Sequence, residues 1–284
     1  MNTEINKKIW VDKIIDNLNV GKRSKKTIEN YLSAIKRFLN YYDETTDISL
    51  FDESDIIEYI KNEFINKNMA ANTYNMNICA IKLLYIVCFN ITFNDRLLPR
   101  AITTKRMPTT IEKKKFLEII NGEDRLKYKC WLLLGYCSGL RIDEVSKIKI
   151  QDINSVHHKL KVLGKRNKER YTILPDITIK FLRLYYKEVG MTKKKGYLFE
   201  GLSKKEHCSS NAIGNYFCLL KRKYNLDDNI CFHSLRHSFA TNFIKSGGDL
   251  FVLKSMLGHA SISTTSIYVH IATNFNNLIG DNHD

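Results

Sequence analysis

The chain has 284 residues, 44% of them apolar, and its 45 Lys and Arg against 30 Asp and Glu give a net charge of +15. This length and apolar content suffice for two domains with their own cores and argue against extended disorder. No run of eighteen apolar residues occurs and the amino terminus lacks a signal-peptide core, so we expect a soluble, cytoplasmic protein that does not enter a membrane.

The first hundred residues contain four amphipathic segments. In "TIENYLSAIKRFLNYY" the apolar side chains recur at helical spacing, with Thr27 as the expected cap. Similar periods recur near 4–18, 53–66 and 72–90. We therefore predict an N-terminal four-helix domain over residues 1–98.

A basic stretch near 97–109, within "LLPRAITTKRMPTT", interrupts this periodicity and contains two of the three prolines of the chain. We interpret it as a linker to a second domain over residues 106–284. Beyond it, "TTIEKKKFLEIING" and "RLKYKCWLLLGYCSG" predict helices, the second ended by Gly139. The segment "IDEVSKIKI" predicts another helix, with Asp143 and Glu144 in its first turn.

The spacing of the apolar residues then changes from a helical period to alternation. "KLKVLGKRNKERYTIL" alternates on both sides of a polar centre, which predicts a β-hairpin with its tip near 164–169. Further helices are predicted near 176–188, 209–223, 234–246, 250–257 and 262–268. The second domain is therefore expected to be mainly α with a small β-sheet.

The charge is unevenly distributed between the two predicted domains. Residues 1–105 have 15 basic and 13 acidic side chains, whereas residues 106–284 have 30 and 17. A net charge of this size suits a long polyanion, because each neutralised phosphate releases condensed counterions. A solvated surface that maintains solubility is the alternative interpretation of the same charge.

Several basic residues lie in unusual places. Arg141 interrupts a buried-looking turn, either satisfied by Glu144 and backbone carbonyls or aimed at a phosphate with Glu144 holding it. In "CFHSLRHSFATNF", His233 and Arg236 share one helix face, while His237 faces the core.

Three further candidate residues are weaker evidence when each is taken singly. Lys165 lies at the predicted hairpin tip, His259 follows a helix-ending glycine, and Tyr268 lies in "TTSIYVH".

A metal site is the other possibility that the histidines raise. His233 and His237 have the spacing of a zinc-binding helix, but neither the glutamate of H-E-x-x-H nor a third ligand accompanies them. The seven cysteines form no C-x-x-C pair and favour reduced thiols. We therefore expect no metal.

Taken in chain order, these motifs resemble the tyrosine recombinases, or phage integrase family, in particular the compact Xer-type and transposon-borne members. The resemblance rests on "SGLRIDE", "GKRNKER", "HSLRHSFAT", "LGHASI" and "TTSIYVH", which cover residues 139–268. It implies a tyrosine-recombinase catalytic domain, and it makes the first domain the core-binding, DNA-binding one.

The resemblance also implies a site and a chemistry. Tyr268 would attack the scissile phosphate and form a 3′-phosphotyrosyl bond without ATP, metal or other cofactor. His233 would be the general base and Lys165 the general acid. The charge on the phosphate would be neutralised by Arg141 and Arg236, and His259 would add a hydrogen bond.

The implied partner is a double-stranded DNA site with inverted repeats, exchanged by a homotetramer through a Holliday junction, with accessory DNA-bending proteins. The role would be integration and excision, or cointegrate or dimer resolution, of a mobile element or replicon. Phosphate and base contacts in the first domain are expected from Arg23, Lys25, Lys26, Asn72 and Thr73.

The tail after Tyr268 carries apolar residues at helical spacing, Ile271, Phe275, Leu278 and Ile279, and would dock either on a neighbouring subunit or on its own domain. Two rival functions remain at this point. One is a DNA-binding module without catalysis. The other is a type IB topoisomerase, which shares the chemistry but needs no partner site.

Overall fold

The computed structural model describes residues 3–43, 45–103, 107–164, 168–201, 203 and 206–258. The chain divides into two compact units, Met1–Lys105 and Arg106–Asp284, each with its own hydrophobic core.

The first unit is helical. Its helices are α1 (Thr3–Val20), α2 (Lys25–Tyr41), α3 (Glu53–Ile60) and α4 (Ala71–Phe89), and a π-helical turn, Lys61–Ile65, extends α3. Helix α4 packs against α1 and α2. The core between them is rich in rings, among them Phe38, Tyr59 and Tyr85, because apolar residues recur on one face of α2 every three or four positions. The predicted N-terminal four-helix domain is confirmed.

Helix α2 begins earlier than predicted. The side chain of Ser24 accepts a hydrogen bond from the Thr27 N–H, so Ser24 is the cap and Thr27 lies in the first turn. The expected cap at Thr27 was therefore wrong. Both residues are capping types, and "SKKT" places the serine where its oxygen reaches a free N–H of the helix.

The beginning of the predicted linker packs against the first unit. Leu98 is buried in its core. The Tyr74 hydroxyl donates to the Pro99 carbonyl, and the amide side chain of Asn75 exchanges two hydrogen bonds with the backbone of Ala101. Residues 98–101 are thus held on the amino-terminal half of α4.

The second unit is also mainly helical. Its helices are α5 (Lys113–Asn121), α6 (Leu126–Ser138), α7 (Ile142–Ser146), α8 (Asp176–Glu188), α9 (Ser210–Lys223), α10 (Phe232–Lys245) and α11 (Leu250–Leu257). Helix α6 is buried over most of its length and packs against α8 and α10. At Gly135 a side chain would meet Leu235 of α10 at 2.9 Å, so this glycine permits the close approach of α6 and α10.

A three-stranded antiparallel sheet lies between α7 and α8, in the order β1 (Ile153–Asn154), β2 (Lys159–Leu163) and β3 (Glu169–Ile173). Strands β2 and β3 confirm the predicted hairpin, whereas β1 was not predicted. In β3 the side chains of Arg170 and Thr172 face inward and Tyr171 faces outward. The prediction of a mainly α fold with a small sheet is confirmed. Among the helices in the described part of the chain, none combines the length and the apolar character that spanning a bilayer requires.

Candidate active site

The turn between α6 and α7 positions Arg141. Helix α6 ends at Gly139, whose positive φ of 67° suits a residue without a side chain, and α7 begins at Ile142 with Arg141 as its cap residue. The Glu144 carboxylate accepts hydrogen bonds from the Arg141 backbone N–H at 2.8 Å and from its Nη1 at 3.0 Å. The Arg141 side chain stays one-third exposed, at 33%. It is therefore oriented by Glu144 and still open to solvent.

Arg236, on α10, is almost completely buried, with 1% of its side chain exposed. Its Nη1 donates to the Gly139 carbonyl at 2.8 Å and its Nη2 to the Leu257 carbonyl at 2.6 Å. Nη1 also lies 3.8 Å from Glu144 Oε2. One guanidinium group thus joins the carboxyl ends of α6 and α11 beside the carboxylate that holds Arg141.

A third arginine, Arg170 of β3, binds the same carboxylate. Its Nη1 and Nη2 donate to the two Glu144 oxygens at 2.8 Å each, and its Nε donates to the Met256 carbonyl at 2.7 Å. Arg170 was not among the site residues predicted from the sequence. The available signal was the alternation of β3, which places a charged residue on the inward face of the strand.

Glu144 is the centre of this group of arginines. Its side chain is only 7% exposed, and burial alone would raise its pKa. The hydrogen bonds and charge of Arg170, together with Arg141 and Arg236, hold the pKa of Glu144 below its usual value. Glu144 is therefore a carboxylate at neutral pH, and it stabilises three cations.

The two histidines of α10 lie next to this group, with ring centroids 4.8 Å apart. His233 is exposed, yet partial desolvation and the charges of Arg236 and Arg141 lower its pKa. Desolvation, His233 and Arg236 lower the pKa of His237 to about 4. Both rings are therefore neutral at pH 7, and the exposed ring of His233 is able to accept a proton.

Four of the predicted site residues, Arg141, Glu144, His233 and Arg236, thus come together, although they derive from α7 and α10. The predicted Lys165, His259 and Tyr268 lie outside the described residues, and so do the predicted helix 262–268 and the apolar residues of the tail. Two neighbours in the chain are described. Gly164 N–H donates to the Lys168 carbonyl at the end of the hairpin, and Gly258 ends α11 with a φ of 65°.

The predicted DNA contacts of the first unit lie at the starts of two helices. Arg23, Lys25 and Lys26 are exposed at the start of α2, where Lys26 also lies 3.6 Å from Glu29. Asn72 is exposed and Thr73 half-buried in the first turn of α4.

Tyr31 of α2 is a half-buried tyrosine whose pKa responds to cations near it. Burial raises the pKa of Tyr31, and Cys79 of α4 adds to this, whereas the charges of Arg23 and Arg100 lower it in part. Arg23 and Arg100 therefore lie near the same ring, and Arg100 is an exposed cation that the sequence analysis did not select.

Known proteins match this chain over nearly all its length. The model of the phage integrase family matches residues 109–274, and that of the phage integrase N-terminal SAM-like domain matches residues 10–91. A tyrosine recombinase of Thermosipho africanus is 26% identical over 92% of this chain and 96% of its own length. Tyrosine recombinase XerD of Staphylococcus epidermidis is 27% identical over 88% of this chain and 89% of its own.

Solved structures agree on the fold. XerH site-specific recombinase bound to a palindromic difH substrate aligns with a TM-score of 0.74 at 20% identity, over 89% of this chain and 78% of its own. A lambda integrase dimer bound to a COC′ core site aligns with a TM-score of 0.73 at 19% identity, over 91% of this chain and 93% of its own.

The fold is that of the tyrosine recombinases, with their core-binding and catalytic domains. Since one family model covers more than half of the residues, the chain belongs to the phage integrase family. It is an enzyme, a site-specific DNA recombinase whose relatives are named tyrosine recombinases. The family resemblance and the expected site-specific recombinase activity are confirmed.

Proposed function

We propose that this recombinase cuts and rejoins DNA by two transesterifications through Tyr268. The Tyr268 oxygen attacks the scissile phosphorus, the bond from phosphorus to the 5′-oxygen breaks, and a 3′-phosphotyrosyl bond and a free 5′-hydroxyl result. The 5′-hydroxyl of a partner strand then attacks the phosphotyrosyl bond and releases Tyr268. Because each step exchanges one phosphodiester for another, the reaction uses no ATP and no cofactor.

The charges at the site support the proposed roles of His233, Arg141 and Arg236, and the family resemblance implies those of His259 and Lys165. Tyrosine has a pKa of roughly 10, so its proton needs an acceptor, and His233 is neutral and exposed. Arg141 and Arg236 would stabilise the charge that grows on the non-bridging oxygens, with Glu144 orienting Arg141. His259 would donate a hydrogen bond to one of these oxygens. Lys165 would protonate the departing 5′-oxygen.

The observation that carries this proposal is the grouping of Arg141, Arg236 and His233 around Glu144 in a chain of the phage integrase family. We assign residues 1–98 as the core-binding domain and residues 106–284 as the catalytic domain. The matches of the two family models, 10–91 and 109–274, support this division.

The proposal is tested by trapping the covalent intermediate. The protein is incubated with fragmented genomic DNA of its host and denatured with SDS, and the DNA that stays attached to protein is sequenced. We expect fragments that share one site with inverted repeats, joined at a 3′ end to the peptide that contains Tyr268. This shared sequence is the recovered site. Linkage through another residue, or no linkage, would contradict the proposal, and single-site relaxation of supercoils without strand exchange would indicate a topoisomerase.

We further propose that four copies act on two paired sites through a Holliday junction, with accessory DNA-bending proteins. A structure of the same fold, a lambda integrase tetramer bound to a Holliday junction, supports this assembly. The exchange would serve integration and excision, or cointegrate or dimer resolution. The genes that flank the recovered site would separate these roles.

The role of Lys165 predicts a selective defect. Lys165→Ala should slow cleavage of a normal phosphodiester by about 10²–10⁴, the usual contribution of a general acid. Cleavage of a substrate with a 5′-bridging phosphorothiolate should change little, because a thiolate leaves without protonation. Single-turnover cleavage of a nicked suicide substrate that carries the recovered site gives both rates.

Lys168→Ala is the matched control, since Lys168 is an exposed cation of the same hairpin. It should cleave both substrates at the wild-type rate. If Lys165→Ala were equally slow on both substrates, Lys165 would position DNA rather than donate a proton.

The basic residues at the start of α2 predict a change in salt dependence. Replacing Arg23, Lys25 and Lys26 with alanine should weaken binding to the recovered site and to unrelated DNA alike. The slope of log K against log salt should fall by about one unit for each phosphate group that the variant no longer binds. Fluorescence-anisotropy binding isotherms over a salt series measure this slope.

The control variant replaces three other exposed cations of the first unit, Lys36, Arg37 and Lys61, with alanine. Its net charge matches that of the test variant, so an effect of charge alone would appear in both. An unchanged slope in the test variant would mean that the start of α2 faces solvent in the complex.

A further inference from the structure

Arg170 is a buried charged residue beside Glu144 that was not among the residues predicted from the sequence. Its side chain is 8% exposed, and it uses three donors, two on Glu144 and one on the Met256 carbonyl. A buried arginine costs free energy unless its donors are satisfied, so the arrangement requires all of these partners.

We propose that Arg170 is a positioning residue of the recombinase site, which holds Glu144 and the end of α11 so that Arg141 and Arg236 stay oriented and direct their charge at the scissile phosphate rather than at Glu144. The proposal rests on the function proposed above. Arg170 acts through its neighbours, because each of its three side-chain nitrogens already donates to Glu144 or to the Met256 carbonyl, at 2.7 or 2.8 Å.

The first step is the orientation of the carboxylate. Both Glu144 oxygens accept from Arg170 at 2.8 Å, and a two-bond contact between planar groups fixes the plane of the carboxylate. The same two oxygens accept from the backbone N–H and the Nη1 of Arg141. The direction of the Arg141 side chain therefore depends on the plane that Arg170 sets.

The second step is the balance of charge. Three guanidinium groups and one carboxylate leave an excess of two positive charges beside the site. Without Arg170, one positive charge would remain, and Glu144 would be free to close the 3.8 Å gap to Arg236 Nη1. Arg236 would then neutralise a protein carboxylate instead of the phosphate.

The third step is the positioning of the end of α11 by Arg170. The carbonyls of a last helical turn have no partners within the helix and carry partial negative charge. Arg170 binds the Met256 carbonyl, and Arg236 and Arg141 bind that of Leu257, the latter at 3.4 Å. A side chain at Gly258 would meet Arg170 Cδ at 2.9 Å, so Arg170 also packs closely against Gly258, which directly precedes His259 in the sequence.

The test compares Arg170→Met with wild type in single-turnover cleavage of suicide substrates carrying the recovered site. One substrate has the normal phosphate, and the other has a methylphosphonate, in which a methyl group replaces one non-bridging oxygen. We expect cleavage of the normal phosphate to be about 10²-fold slower, as for loss of one stabilising donor. The defect should shrink at least tenfold on the methylphosphonate, which lacks the negative charge, while site binding stays unchanged.

Arg125→Met is the matched control, because Arg125 also binds a carboxylate, that of Glu123, at 3.1 Å. It should cleave both substrates at the wild-type rate. A second arm combines Arg170→Met with Glu144→Gln. Glu144→Gln removes the charge that would otherwise bind Arg236 in the absence of Arg170, so the double variant should cleave faster than Arg170→Met alone.

Arg170→Lys keeps the inference testable if Arg170→Met does not fold. One ammonium group cannot bind both Glu144 oxygens and Met256, so we expect an intermediate defect that also shrinks on the methylphosphonate. Equal defects on the two substrates would assign Arg170 a purely structural role and overturn the inference, as would a wild-type rate in the variants. If wild type itself formed no adduct through Tyr268, the proposed function would be the part that failed.

Discussion

Phenylalanine at position 268 is expected to abolish the covalent protein–DNA adduct and to leave binding of the recovered site unchanged. The substitution removes only the hydroxyl oxygen, which is the atom that would attack phosphorus. Gel analysis of a nicked suicide substrate after SDS denaturation measures the adduct, and an electrophoretic mobility shift measures binding.

Tyr171→Phe is the control for this prediction, since Tyr171 is an exposed tyrosine of the same unit, on the outward face of β3. It should form the adduct in wild-type yield. A normal yield from Tyr268→Phe would remove Tyr268 from the nucleophile role, and peptide mapping of the adduct would then identify the residue that holds it.

The helices were largely predictable because their signals are local. An apolar stripe of period 3.6 marks α2, and the segment from Leu126 to Gly139 combines an apolar run with a glycine at its end. The same holds for the start of α7, where Glu144 accepts from the Arg141 N–H. Each of these features is carried by residues that are close together in the sequence.

The contacts that complete the site were not predictable because they join distant parts of the chain. Arg170 lies 26 residues from Glu144 and 86 from Met256. Its inward direction depends on the register of β2 and β3, in which Arg170 is paired with Val162. A single sequence shows that an arginine lies in an alternating strand, but not which carboxylate it meets.

Arg141 and Arg236 were found for a different reason. Each is a cation in an apolar neighbourhood, and such a residue needs a partner because an unpaired buried charge is very unfavourable. The sequence therefore showed that partners must exist, and the family resemblance indicated a phosphate. Arg236 donates to the Gly139 and Leu257 carbonyls because α10 packs against α6 and α11.

Tertiary packing also explains why the first residues of the predicted linker pack against the first unit. Prolines and basic residues near 97–109 are typical of a connection between domains. Leu98 nevertheless enters the core of the first unit, and Pro99 and Ala101 bind side chains of α4. One apolar residue in a polar segment is a weak signal, so the burial of Leu98 required the position of α4.

Arg236 is buried, whereas Arg141 is one-third exposed. Substitution by lysine should therefore affect the stability of the fold differently at these two proposed phosphate-binding positions. Arg141→Lys and Arg236→Lys should each slow adduct formation by about 10²–10³, because lysine lacks the planar pair of donors that binds two phosphate oxygens. Only Arg236→Lys should also destabilise the fold, by about 1–3 kcal/mol. One ammonium group cannot replace both bonds to Gly139 and Leu257, and a buried carbonyl without a partner costs this much.

Urea unfolding measures the free energy of unfolding, and single-turnover cleavage of the suicide substrate measures the rate. For Arg141→Lys we expect nearly wild-type stability, because its side chain is one-third exposed and water replaces the missing donors. If Arg236→Lys lost stability but cleaved at the wild-type rate, Arg236 would only join α6 to α11. If both variants lost rate and only Arg236→Lys lost stability, one buried guanidinium would serve both the fold and the phosphate.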